Sequence, residues 1–545
     1  MKNYIIIALL LSTIGLSSCK KYLDLAPNEN IQEDQVFSTI IQAEYFANNV
    51  YSTLPTFQTR TGDGFTSINA VSDEAAPTFW NNGMSFNRGG YSQSSNPIGN
   101  IWANSYRGIR KANILLERLP DVPTPNDGDP ESKIRLRAEA LFCRAFLYFD
   151  ILKFYGAFPI VDKRVPIDDP FQQKRNTYDE CVAFMVKDLD EAAAVLPDFY
   201  SSTTTPPTAN MIGRATKGMC LALKSRLLLY AASPLNTADN SVKWQKAADA
   251  AKAVIALNRF PLYNVKANKA DNYKDIFNVY ANSEIIWYRD LGNNKNYEQA
   301  FYPPGLSGWA NTVPTQNLVD EYQMANGKDI TDPTSGYDPA NPYLNREPRF
   351  YASIWYNGSV IRGYTIAAKT GGLDAINGAN VNTTTGYYTA KFCDGSVSLT
   401  SGSGRQTMSI WFRIGEMYLN YAEAANEANT LPTNDPLIYT YMNLIRNRAG
   451  IADLPAGLTK EDMRKAIRRE RRVELAFEEH RFFDDRRWKL RSSSPIFAYR
   501  WNAAGTAYTK EEVENRPFEE KMWYMPIPQT ELDILRSVEQ NLGWK

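Results

Sequence analysis

The chain has a single histidine, His480, among 545 residues. Ser-His-Asp triads, Cys–His dyads and histidine-ligated zinc need an imidazole placed beside a nucleophile or a metal. The one imidazole here lies in a run of charged residues. Cysteine is scarce as well: five stand at 19, 143, 181, 220 and 393, none in a C-x-x-C pair. Neither a metal site nor a disulfide is expected, and Cys143, Cys181 and Cys220, which fall in helical patterns, read as buried small hydrophobes. Net charge is absent too, with 60 Lys and Arg against 60 Asp and Glu, so there is no basic footprint for nucleic acid. No G-x-S-x-G elbow and no Walker loop occurs. No apolar run approaches the ~20 residues that span a bilayer.

Carboxylates are abundant, and the adjacent pairs Asp73–Glu74 and Asp484–Asp485 are coincidences that such numbers guarantee. A glycosidase needs two carboxyls roughly 5–10 Å apart across the scissile bond, and sequence adjacency does not supply that. No catalytic residue, metal or cofactor is therefore assigned; a glycan-degrading hydrolase remains the enzymatic alternative.

What is present begins at the N-terminus. Lys2 precedes the apolar stretch Tyr4–Leu11, and Leu16-Ser17-Ser18-Cys19 follows. A branched apolar residue, two small ones and a cysteine form a bacterial lipobox. The expectation is a signal peptide over 1–18, a lipidated Cys19 and a tether over 19–33. Several acyl chains exceed the two-signal threshold for stable anchoring.

Helical periodicity then dominates 34–260. Ala43, Phe46, Ala47, Val50, Tyr51 and Leu54 make one stripe. Trp102, Tyr106, Ile109, Asn113 and Leu116 make a second, and Leu141, Ala145, Tyr148, Leu152 and Tyr155 a third, closed at Gly156. Thr177 and Glu180 form a capping box. Two more helices are expected after Gly213 and from Trp244 to Leu257. Counting loops, the helices pair off at roughly 35–45 residues, the range of two-helix repeats. Trp102, Trp411, Tyr148 and Tyr230 fall on helical stripes and read as structural.

Two stretches break the pattern. Residues 56–97 are rich in Gly, Asn, Ser and Thr, and 261–410 alternates short strand-like runs (284–288, 354–356, 387–392) with loops, loosest at Thr370–Gly386. Helix resumes over 411–545, at Trp411 and at Leu437–Ala449. Then comes Arg464–Trp488, expected as one helix capped by Thr459, with a thin stripe (Ala466, Val473, Phe477, Trp488, flanked by Ile467, Leu475, Phe482 and Phe483). It is too polar for a core rod. The expectation is a helix docked along the others, its Arg and Glu side chains bonding backbone ends and each other.

Aromatics make up 12% of the chain, with 32 Tyr and 11 Trp, enough for stacking surfaces as well as core. Flat rings plus Asn and Arg donors are what hold sugars, and loop aromatics are the candidates because those on helix faces are core. Two loop clusters qualify. One is Phe79-Trp80-Asn81-Asn82-Gly83 with Arg88 and Tyr91 downstream. The other is Phe301-Tyr302-Pro303-Pro304-Gly305 leading to Trp309-Ala310-Asn311. Trp80, Asn81, Arg88, Tyr302, Trp309 and Asn311 are the candidate ligand-binding residues.

The run Arg-Arg-Glu-Arg-Arg-Val-Glu-Leu-Ala-Phe-Glu-Glu-His-Arg-Phe-Phe-Asp-Asp-Arg-Arg-Trp, ending at Trp488, resembles the C-terminal segment of the SusD/RagB-like family. Arg144–Val161, the block opening at Gly213, Thr385–Phe392 and the end block Met522–Leu532 are similar to it in order. Asn345-Arg-Glu-Pro-Arg-Phe-Tyr departs only in having Glu347 where the family more often has Asp. The resemblance implies a mainly α fold: a tetratricopeptide-like helical-repeat scaffold with a large loop-rich insertion carrying short β-strands, and a closing strand and short helix at the end. It implies an outer-membrane lipoprotein, facing outside, that binds oligosaccharide and delivers it to a TonB-dependent (SusC-like) transporter, with Trp and Tyr of the two inserted regions forming an arc. Peptide binding on the same scaffold, or a purely structural lid, are the non-enzymatic alternatives.

Overall fold

The computed structural model describes residues 33–56, 67–79, 82–123, 131–166, 168–169, 171–200, 211–238, 240–376 and 383–544. Cys19, the signal peptide, Trp80 and Asn81 lie outside them. Helices dominate, as the periodicity predicts. Ile40–Tyr51, Ile101–Arg118, Glu131–Tyr155, Tyr178–Val195, Lys217–Ala232 and Ser241–Ala256 follow in order, and from Ile101–Arg118 onward each packs on the next. Ile414–Ala428, Leu437–Ala449 and Lys460–Glu474 complete the scaffold. No helix of the described residues is long and apolar enough to cross a membrane.

Local chemistry sets the ends. Thr177 accepts from the Glu180 amide while the Glu180 carboxylate accepts from the Thr177 amide, the expected capping box. Thr216 and Asn240 cap the next two helices through their side chains. Glu131–Tyr155 stops where Gly156 takes a φ of +74°, a conformation that favours glycine. This helix is buried almost all round from Leu136 to Tyr155, so it forms the centre of the first core, with Trp102, Tyr148 and Tyr230 structural as expected. The described cysteines, Cys143, Cys181, Cys220 and Cys393, are buried free thiols.

The strands are short and pair in twos, all antiparallel: β1 (Ala75–Pro77) with β3 (Thr312–Pro314), β2 (Ile285–Asn294) with β8 (Arg405–Arg413), β4 (Ile354–Trp355) with β7 (Tyr388–Thr389), β5 (Val360–Ile361) with β6 (Tyr364–Thr365), and β9 (Ser494–Trp501) with β10 (Tyr508–Arg516). Trp411 corrects an expectation: it lies in β8, with the helix beginning only at Ile414. It is buried all the same, against Phe146 and Trp287. The β9–β10 hairpin has no sequence-based counterpart. At Met522, where a closing strand is expected, there is a 3-10 turn, Glu520–Trp523, followed by the helix Gln529–Ile534.

The largest correction concerns Arg464–Trp488. It is two helices, Lys460–Glu474 and Arg481–Arg487, joined by a corner in which Phe477 (φ +63°) and Glu479 (φ +64°) are left-handed. Distant side chains satisfy the corner's backbone. Tyr273 Oη (2.6 Å) and Arg413 Nη2 (2.8 Å) donate to the Glu474 carbonyl, Lys391 Nζ (2.6 Å) to that of Ala476 and Asn69 Nδ2 (2.8 Å) to that of Phe477. Nor is the segment peripheral. Glu470, Arg471, Glu474, Asp484 and Arg487 are all buried. Polarity does not keep the run out of the core, because these five buried charges meet their opposites there.

The corner lies between two apolar clusters. Ile467, Leu475, Phe482 and Phe483 belong to the helical core. Val473, Ala476 and Phe477 belong to a second core built from residues within 273–393 together with Ala75, Ala76 and Trp501. Buried ions link the two. Glu474 contacts Arg349 (2.9 Å), Arg413 (2.7 Å) and Arg448; Glu284 takes Arg413 (2.8 Å) and Arg448 (3.0 Å); Glu347 and Glu470 take Arg349, and Arg446 joins Glu470. Lys391 and Arg413 share Glu478. Five acids thus face five bases.

Candidate functional site

β1 and β3 are three residues each, yet they decide which loops meet. Their register pairs Ala75 with Pro314 and Pro77 with Thr312. The pairing continues past the strands, where the Thr78 amide donates to the Asn311 carbonyl at 3.3 Å. The end of β1 and the start of β3 therefore coincide. Thr78 and Asn311, far apart in sequence, thus stand together at one end of a small sheet.

The second loop is a braced platform. Tyr302 is fully buried: its hydroxyl donates to the carbonyls of Asp394 (2.6 Å) and Val397 (3.1 Å), and its ring meets Trp355. The amides of Trp309 and Asn311 donate to Gln299 (2.8 Å) and Ala300 (2.7 Å) of the helix Asn296–Phe301, and that of Ala310 to Tyr302 (3.2 Å). On the other side, Asp374 accepts from the Gly305 amide (2.9 Å), the Tyr364 hydroxyl (2.6 Å) and the Ala367 amide (2.9 Å). Asp374 is itself fully buried, although it falls in the stretch expected to be loosest.

Trp309 stands on this platform with 43% of its surface exposed, and it is the one exposed tryptophan among the described residues. So the six candidates divide. Trp309 presents a ring to solvent. Tyr302 and Asn311 correct the expectation: both are buried, and they act as the strut and the backbone link beneath the loop. Arg88 is exposed at the end of the short helix Asn82–Asn87, beside Gly89, whose α-carbon faces Pro517 and Met522. Tyr91 is buried, stacked on Phe86 and against Trp544. The sequence reading missed the supports Gln299 and Asp374. Short polar residues in turn-rich sequence are a faint signal, because only the fold reveals which backbone they latch.

Gly308 carries a sharp requirement. A β-carbon there would lie 2.1 Å from the Tyr302 carbonyl oxygen, a backbone atom that cannot move aside cheaply. Gly308→Ala should lower stability by about 1–3 kcal/mol and mobilise the Trp309 loop. Hydrogen exchange of the 299–311 amides checks this, with protection lost there and retained in the helical core.

The acidic pairs are engaged structurally. Arg481 contacts both Asp73 and Asp485 at 2.7 Å, and Arg472 also reaches Asp73 (3.1 Å). Asp484 pairs with Arg471 (3.2 Å) and Arg487 (2.7 Å). Glu74 is different. It is buried, its Oε2 accepts from the Phe477 amide at 3.3 Å, and among the described residues no arginine pairs with it. Burial, with Asp73 adding repulsion, pushes its carboxyl up to about 8 despite the Phe477 amide. A raised carboxyl stabilises the fold below the unfolded value of 4.5, and that contribution is lost as pH rises towards 8. Between those limits wild type should lose roughly 5 kcal/mol relative to Glu74→Gln. Urea unfolding of both proteins across that range measures the difference.

Comparison with known proteins gives this arrangement a lineage. A sequence model described as the SusD family matches residues 265–544. A second, described as starch-binding associating with outer membrane, matches residues 21–229. Among curated relatives, a SusD-like protein, P25, of Formosa agariphila is 26% identical over 473 residues, spanning 82% of this chain and 80% of that protein. Among solved structures, a SusD-like protein from Bacteroides fragilis superposes with a TM-score of 0.80 at 27% identity, covering 95% of this chain and all of that one. A laminarin-binding SusD-like protein shares the fold at a TM-score of 0.64 and 21% identity, over 93% and 100% of the two chains. The two sequence models match in order along the chain, the fold is a helical scaffold with a loop-rich second core, and the chain belongs to the SusD family.

Proposed function

We propose that this protein is a non-catalytic, lipid-anchored receptor that holds oligosaccharides on the Trp309 loop and passes them to a TonB-dependent transporter in the outer membrane. The observation that carries the reading is Trp309: a large ring left exposed on a loop whose every neighbour is braced. A preorganised ring loses little entropy on stacking, which is how aromatic faces gain affinity for flat sugars. In this reading the helical scaffold faces the transporter, the insertion 261–410 with 56–97 faces the nutrient, and Cys19 carries the acyl chains. Confining both proteins to one membrane raises their effective concentration, so modest ligand affinity suffices. The lack of catalysis is supported by Asp73, Asp484 and Asp485, which hold arginines. A family member named as laminarin-binding has the same fold.

A glycan array set against a peptide pool tests the ligand class. Wild type should retain oligosaccharides, Trp80→Ala with Trp309→Ala should retain none, and the double variant should melt as wild type does. Capture of peptides in place of glycans would refute the reading. For delivery, the lipidated protein extracted from its own membrane should co-purify with a TonB-dependent barrel, and Cys19→Ala should abolish surface attachment.

A further inference from the structure

A second cavity lies in the helical scaffold, well removed in sequence and packing from the Trp309 loop. It measures about 450 Å³ and opens between the start of the helix Ser241–Ala256, the helix Ile414–Ala428 and the helix Lys460–Glu474. Small-molecule sites commonly fall between about 300 and 1,000 Å³.

Its charges do not balance. Glu423 on the wall belongs to a closed set: with Asp484 it neutralises Arg471 and Arg487, and it accepts from Trp488 Nε1 at 2.7 Å. Glu427 and Glu461 are both held by Arg464, the former at 2.6 Å through two nitrogens. Lys460 donates to the Glu427 carbonyl at 2.8 Å and lies 4.0 Å from its carboxylate. The remaining cation is Arg468. It is the one basic residue of its helix that makes no hydrogen bond or ion pair among the described residues; the others all have an oxygen partner. Outside the closed set, three bases (Lys460, Arg464 and Arg468) thus face two acids (Glu427 and Glu461).

Arg468 is also preorganised. It is half-buried, and its guanidinium carbon stands 4.9 Å from the Trp488 ring centre. Trp488 in turn carries Arg487 at 4.6 Å. Stacking holds the guanidinium while leaving its in-plane N–H fork, the geometry that receives carboxylate or sulfate in bidentate fashion, without a partner. Half-buried and lining the cavity, the fork stands open to an anion.

We propose that this cavity is a second ligand site that takes an oxyanion-bearing saccharide, a uronate or a sulfate ester, with Arg468 as the anion's fork and Lys460 at the rim. The anion preference follows from the charge surplus; the saccharide class rests on the function proposed above. The cavity suits one or two sugar units rather than a macromolecular surface.

Calorimetric titration with glucuronate, glucose 6-sulfate, glucose, inorganic sulfate and N-acetylglutamate tests it. Wild type should bind glucuronate or glucose 6-sulfate, and glucose at least tenfold more weakly. Arg468→Gln should weaken the acidic sugar at least tenfold and Arg468→Lys by less, with melting temperatures unchanged. Trp309→Ala should leave this binding intact, which separates this site from the one on the loop. The proposal is overturned if neither acidic sugar binds, if inorganic sulfate or N-acetylglutamate alone binds, if Arg468→Gln binds as wild type does, or if Trp309→Ala abolishes the binding. Neutral oligosaccharide on the Trp309 loop is a separate outcome, so either proposal can fail without the other.

Discussion

Glu474→Gln should destabilise the protein by about 3–5 kcal/mol, the penalty for removing one member of a buried ion cluster. Glu474 is fully buried and contacts Arg349, Arg413 and Arg448. Burial alone would raise its carboxyl, but Arg448, Arg413 and Arg349 outweigh that and hold it far below the usual carboxylate range. The amide removes the charge and leaves three guanidiniums repelling one another in a medium that screens poorly. The sign with pH follows. A carboxyl with a depressed value contributes its stability above the unfolded value of 4.5 and loses it as pH falls further. Wild type and variant should therefore converge in acid. Urea unfolding at neutral pH and under acid reads both effects. Because Glu474 joins the helical core to the second core, both should loosen together, in a single transition.

Trp309→Ala should weaken oligosaccharide binding by about 2 kcal/mol, roughly thirtyfold in Kd, with little change in stability. The two effects separate for a structural reason. The loop is held by backbone bonds to Gln299, Ala300 and Tyr302 and by the Asp374 latch, none of which uses the indole. Tyr302→Ala should show the opposite pattern. It removes a buried ring and two hydrogen bonds, so stability falls first and binding is lost through disorder of the loop.

Much of the scaffold was legible because its determinants are local. Thr177 and Glu180 announce a helix start within four residues, and Leu437–Ala449 has the bounds its periodicity predicts. The break in Arg464–Trp488 was not legible. Its backbone partners Asn69, Tyr273, Lys391 and Arg413 arrive from elsewhere in the chain, and no window of sequence contains them. The same distance effect hid the pairing of β1 with β3. Turn-rich sequence marked 301–311 as a loop but could not rank its aromatics. Tyr302 and Trp309 look alike in sequence; acceptors at Asp394 and Val397 draw one inward. The β9–β10 hairpin escaped because Tyr508–Arg516 is mostly polar and charged, without the apolar alternation that marks a strand.

The most direct test of the exposed-ring account is calorimetry of one oligosaccharide from the array against wild type and Trp309→Ala, with thermal melts of both. The account predicts matching melts and a Kd about thirtyfold weaker in the variant. Equal affinity in two equally stable proteins would contradict it and place the nutrient elsewhere on the molecule.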